Sequence, residues 1–160
     1  MSQNNTNESA LADLIDKQAI SQLIACFGNS IDRKAWDELG SCLAPELFND
    51  IRGVSGATPE NLTREKYVAM RSRMLASLST HHMLGNIEIS VGGFEANART
   101  SSVIYRYDSE GRVYNTHGQY GFGLIKTADR WTINAIIQNV LWNAGSTDVY
   151  SGLSTGEAGY

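Results

Sequence analysis

From Leu11 onward the apolar residues Leu14, Ile15, Ile20, Leu23, Ile24, Phe27 and Ile31 recur at steps of three, four and five. That spacing predicts an amphipathic helix of about six turns at ~3.6 residues each. A shorter helical pattern, Ala35-Trp36-Asp37-Glu38-Leu39, stops at Ala44-Pro45. Residues 46–51 read as a short strand and 53–59, by their glycine and proline content, as a loop. Thr63 is a suitable N-cap for a third helix with Tyr67, Met70, Met74, Leu75 and Leu78 as its apolar positions. From Thr80 the period changes to two. Met83, Ile87, Ile89 and Val91 mark one strand up to Gly92-Gly93, and 98–107, 113–126 and 131–142 mark three more. Asp108-Ser109-Glu110-Gly111 and Thr127-Ala128-Asp129 supply the turns. Helices first and antiparallel strands afterwards define an α+β fold.

Length and composition narrow this pattern to one globular domain. The chain has 160 residues, 42% of them hydrophobic, and only 2 prolines, enough to bury a substantial core. Residues 1–9 are polar and are expected to form a disordered leader; 10–142 form the domain. The tail 143–160, rich in glycine, is either a mobile end or a flap over a pocket, with Val149, Tyr150 and Leu153 spaced to cover an apolar opening. A formal charge of −4 without a Lys/Arg cluster argues against a nucleic-acid partner. Short apolar runs and a polar start predict no membrane span and no secretory signal, hence a cytoplasmic setting. Cys26 and Cys42 fit no metal spacing and read as reduced, buried small hydrophobes. Tyr114, Tyr120, Phe122 and Leu124 share one strand parity. They are expected either to pack internally or to form an outward apolar face that would make a homodimer or homotrimer.

Four polar residues stand out against this apolar frame: Asp32, His82, His117 and Asn139. A carboxylate that orients and charges a histidine makes a general base, and a second histidine can act as an acid or hold a substrate oxygen. Strict alternation sets His81, rather than His82, on the face of Met83, Ile87 and Ile89, so His81 is the alternative unless the strand is irregular near Gly85. His117 shares its parity with Asn115, Gln119, Gly121 and Gly123, a polar, small-residue face with room for a ligand. Asn139, read as sharing a face with Trp131, Ile133, Ala135 and Ile137, must be hydrogen-bonded to backbone or ligand.

The segment Asp32-Arg33-Lys34-Ala35-Trp36-Asp37-Glu38-Leu39 followed by Ala44-Pro45-Glu46-Leu47 resembles the aspartate-bearing segment of scytalone dehydratases. His82 before Leu84-Gly85-Asn86, His117 upstream of Asp129-Arg130-Trp131, and Asn139 before Val140-Leu141-Trp142 continue the likeness in the same order. Over roughly residues 10–142 the chain is similar to the SnoaL-like members of the nuclear transport factor 2-like superfamily. Hexachlorocyclohexane dehydrochlorinase matches at the Asp32 and His82 positions. The resemblance implies a cone-shaped α+β barrel, with N-terminal helices packed on a curved antiparallel sheet. It also implies a cofactor-independent lyase of the dehydratase type, or an isomerase, acting on a small, hydrophobic, oxygenated molecule that is expected to be cyclic. In it Asp32, His82 and His117 would be catalytic and Asn139 would bind substrate. The dehydratase's pair of water-holding tyrosines corresponds to Ile31 and Ile51 here, so these pocket positions cannot polarise a carbonyl. Two histidines and a carboxylate could also ligate iron, but no short His-x-Asp spacing occurs and the related folds use the trio without metal, so no metal or cofactor is expected. A non-catalytic ligand-binding or dimerisation module on the same fold is the alternative.

Overall fold

The computed structural model describes residues 2–55, 57–128 and 130–150, with side chains from residue 7 onward except at 54 and 55. Helix α1 (Ser2–Asp32) takes in the polar stretch expected to form a leader, since no glycine or proline interrupts it there. Its core-facing stripe is narrower than the sequence pattern. Ile20, Ile24, Phe27 and Ile31 are fully buried, whereas Leu11, Leu14 and Ile15 are more than half exposed because the first turns have no element beside them. The chain continues through α2 (Trp36–Cys42), β1 (Leu43–Asp50), the single turn α3 (Arg52–Ser55), β2 (Glu60–Thr63) and α4 (Arg64–Met74). Thr63 caps α4, its hydroxyl accepting from the Lys66 N–H at 3.3 Å. Four long strands follow: β3 (Ser79–Gly92), β4 (Glu95–Tyr107), β5 (Val113–Thr127) and β6 (Arg130–Gly145). A 3-10 turn, Thr147–Tyr150, ends the described chain.

The six strands form one sheet in the order β2-β1-β6-β5-β4-β3. It is mixed rather than wholly antiparallel, because β1 runs parallel to β6. Helix α1 packs on one face of this sheet. Its Phe27 ring meets Tyr120 and Phe122 edge-on at 6.1 and 5.4 Å. The Tyr120–Phe122–Leu124 row is therefore the centre of the core, each residue 1 or 2% exposed, and not an outward dimer surface. Their bulk selects the helix-covered side, where burying a large side chain contributes about 1.5–3 kcal/mol.

Three register shifts decide which way the functional strands face. In β3 the pairing with β4 slips between Gly85 and Glu88, and Asn86 takes a left-handed conformation with φ 51°. The extra residue inverts the alternation: Leu84 and His82 point inward before it, and Ile87 and Ile89 point inward after it. In β6 the pairing with β5 slips between Gly123 and Leu124 and again between His117 and Gly118. The first of these moves the inward face of β6 from Trp131 and Ile133 to Ile136 and Gln138. At the second, a Cβ on Gly118 would meet the Asn139 carbonyl oxygen at 2.2 Å, so only glycine permits the approach.

Candidate active site

Asp32 is the last residue of α1. A carboxylate there stands at the negative end of the helix dipole and needs donors from elsewhere. β3 supplies them. The Asp32 Oδ1 receives the Thr80 hydroxyl at 2.9 Å and faces the His82 Nδ1 at 2.6 Å, and Oδ2 accepts the His82 backbone N–H at 2.7 Å. Two bonds from one residue fix the carboxylate plane against the imidazole. Gly28, one turn before Asp32, permits the close approach of α1 to β3: a Cβ there would lie 3.2 Å from Leu84 and 3.5 Å from His82.

Both side chains are largely withdrawn from water, 15 and 5% exposed. Burial opposes the Asp32 charge, but the bonds from the His82 ring and backbone and from Thr80 outweigh it and hold the carboxyl below its usual range. For His82, burial is the largest influence and lowers the pKa; Asp32 works against it, and the charges of Arg71 and Arg106 add to the lowering. The pair at neutral pH is then carboxylate and neutral imidazole. With Nδ1–H donated to Asp32, Nε2 is left as the basic nitrogen.

A cavity of about 360 Å³ opens beside His82, within the ~300–1,000 Å³ usual for small-molecule sites. Its wall is drawn from distant parts of the chain: Ile51 after β1; Arg71, Met74 and Leu75 of α4 and the turn after it; His82 of β3; Arg106 of β4; Tyr114 and Tyr120 of β5; Gln138 of β6; and Thr147 and Tyr150 of the 3-10 turn. Burial pushes the Tyr120 hydroxyl up to about 12, so it stays protonated and able to donate. The Tyr150 ring meets Tyr114 edge-on at 5.9 Å, and Val149 is 3% exposed. The beginning of the expected flap is thus packed against the cavity; Leu153 lies outside the described residues. Among the described residues no three His, Cys, Asp or Glu side chains are grouped to hold a metal ion.

The structure brings together Asp32, His82 and Ile51, and leaves the other expected residues elsewhere. His81 is exposed and stacks on Tyr105 at 6.0 Å on the outer face. His117 also faces outward, stacked on Trp142 at 4.6 Å. The inward residue beside it is Thr116, fully buried, whose hydroxyl accepts from Arg106 Nη1 at 2.8 Å. The small-residue face of β5, expected on the ligand side, lies outside because the large rings claim the inside. Asn139 is exposed because the bulge in β6 turns Gln138 inward instead. Ile31 is buried in the core beneath α1 and does not line the cavity. Arg71, Arg106, Tyr120 and Gln138 were missed. One signal for them was available: Arg71 lies four residues after Tyr67 and four before Leu75 on the apolar stripe of α4, and Arg106 continues the inward parity of Ala96, Ala98, Thr100, Ser102 and Ile104.

The profile of the SnoaL-like domain matches residues 12–136, and the chain belongs to that family, part of the nuclear transport factor 2-like superfamily. An uncharacterised protein of Mycobacterium tuberculosis is 26% identical over 131 residues, covering 78% of this chain and 84% of its relative. A scytalone dehydratase-like protein of Passalora fulva is 28% identical over 109 residues, 64% of this chain and 60% of that protein. The solved structure of a type 2 hexachlorocyclohexane dehydrochlorinase superposes with a TM-score of 0.75 at 14% identity, covering 86% of this chain and 93% of the other. At that identity the likeness concerns the fold alone.

Proposed function

We propose that this chain is a metal-independent lyase of the dehydratase type, or an isomerase, that removes a proton from carbon in a small, hydrophobic, oxygenated molecule. The observation that carries the reading is the 2.6 Å contact of Asp32 with the buried His82 Nδ1, beside a cavity of small-molecule size. His82 Nε2 takes the proton from a carbon next to a carbonyl, and Asp32 stabilises the imidazolium that forms. In a dehydration the leaving hydroxyl receives that proton and departs as water; in an isomerisation the proton returns to another carbon. The protonated Tyr120 hydroxyl and the Gln138 amide take the part of the missing tyrosine pair, donating to the carbonyl oxygen as charge builds on it. A positioned base of this kind is typically worth ~10²–10⁴ in rate. Family membership and the scytalone dehydratase-like relative support the class; His117 and Asn139 have no part in it.

The test is a panel of cyclic β-hydroxy ketones incubated in deuterated water and followed by mass spectrometry. Loss of water or deuterium uptake at carbon with at least one compound, abolished in His82→Ala, is the expected result. A panel that binds in the cavity and neither exchanges nor dehydrates would favour a plain binding module.

A further inference from the structure

The cavity wall carries an unbalanced charge. Arg71 and Arg106 both line it, 9 and 6% exposed, and among the described residues no aspartate or glutamate lines it. Asp32, behind His82, can offset one of the two positive charges; among the described residues the other has no counterpart at the cavity wall. The hydrogen bonding is incomplete in the same place. Arg71 Nε donates to the Tyr67 hydroxyl at 3.1 Å, but its Nη2 is buried with no partner, as is the Gln138 amide nitrogen. Arg106 gives one N–H to Thr116 and stacks over the Tyr114 ring at 5.7 Å, and among the described residues no carboxylate pairs with it. Burying a cation away from water is costly unless an anion or acceptors replace its hydration. Buried donors without partners are rare in native proteins and mark places where something else belongs.

We propose that the cavity takes a small monoanionic ligand, a carboxylate on an aromatic or alicyclic ring, whose oxygens are held by Arg71, Arg106 and the Gln138 amide. Guanidinium groups offer paired N–H donors that match two carboxylate oxygens. The remaining wall, Ile51, Met74, Leu75 and the tyrosine rings, suits a ring rather than a sugar or a phosphate chain. A ligand held in this way brings its ring against His82, so the inference names the substrate class for the base proposed above and rests on that reading for its catalytic meaning.

Calorimetric titration of the full chain with ring carboxylates and their neutral amides, benzoate against benzamide and cyclohex-1-enecarboxylate against its amide, tests the claim. At least one carboxylate is expected to bind about tenfold or more tighter than its amide, a difference of about 1.4 kcal/mol. The preference should vanish in Arg106→Met and in Arg71→Met, and persist in His82→Ala. The ligand-free Arg106→Met protein should melt no lower than wild type, because it loses an uncompensated buried charge. Equal or tighter binding of the amides, or no binding of either member in any pair, overturns the proposal without using any variant. Loss of the preference with turnover still dependent on His82 would remove the carboxylate and leave the base. A preference that persists alongside full turnover in His82→Ala would do the reverse.

Discussion

The carboxylate of Asp32 meets three donors, two of them from His82, and that concentration has consequences for protonation. Both members of the pair have folded-state pKa values below their ordinary ones. As pH falls, the unfolded chain therefore takes up protons before the folded one does. The stability contributed is full above the unfolded values, about 6.5 for the histidine and about 3.9 for the aspartate, and is lost as pH falls through the lowered folded values. A nitrogen-15 titration of the His82 ring is expected to find it neutral at pH 7, protonated on Nδ1, with a midpoint below the ordinary histidine value of ~6.5. A His82 midpoint above ~6.5 would mean that Asp32, not burial, dominates the pair. These properties were legible only as a possibility. The sequence offers Asp32 and His82 at a separation of fifty residues, and their pairing depends on how α1 lies across β3.

At the scale of elements, the order of helices and strands follows from periodicity, since a period of 3.6 or of two is a local property. The faces do not follow. One bulge at Asn86 turns His82 inward against strict alternation, and another near Asn134 turns Gln138 inward in place of Asn139. A single inserted residue inverts every later side chain; Gly85 marks a place where β3 could be irregular, whereas nothing around Asn134 announces the second bulge. The face of β5 was misjudged for a different reason. His117 drew attention as chemistry, although Tyr120, Phe122 and Leu124 on the other parity carry far more apolar area. The closeness of α1 to β3 also has a testable element, Gly28. Gly28→Leu would force the helix away from His82 and Leu84, and is expected to lower the melting temperature and to reduce turnover more than tenfold by lengthening the Asp32–His82 contact. Unchanged activity in a folded Gly28→Leu protein would show that the dyad does not depend on that approach.

Across the whole molecule the two faces of the sheet divide the work. The inner face, with α1 and α4, encloses the core and the cavity. The outer face carries a row that crosses four strands through Met83, Val103, His117 and Trp142, paired in register. Met83, Leu141 and Trp142 on it are more than half exposed. The expected homodimer or homotrimer thus needs this surface and not the Tyr120 row. Apolar sheet faces of this kind are seldom left bare, so light scattering is expected to give a mass of two or three chains that falls towards one in Trp142→Glu. A mass near 17.5 kDa for the wild type would refute it. The long-range arrangement, four strands and α4 around the cavity with Thr147 and Tyr150 at its wall, is the level at which Arg71, Arg106 and Gln138 come together. No local pattern joins them.

The central claim is that Asp32 makes His82 a base. The most direct measurement compares turnover of Asp32→Asn with wild type, on whichever compound the wild-type protein converts, at matched folded concentration. The substitution keeps size and shape and removes the charge that holds Nδ1–H and stabilises the imidazolium. A fall of well over tenfold in kcat, with ligand affinity little changed, is the predicted result. Activity within twofold of wild type would contradict the account.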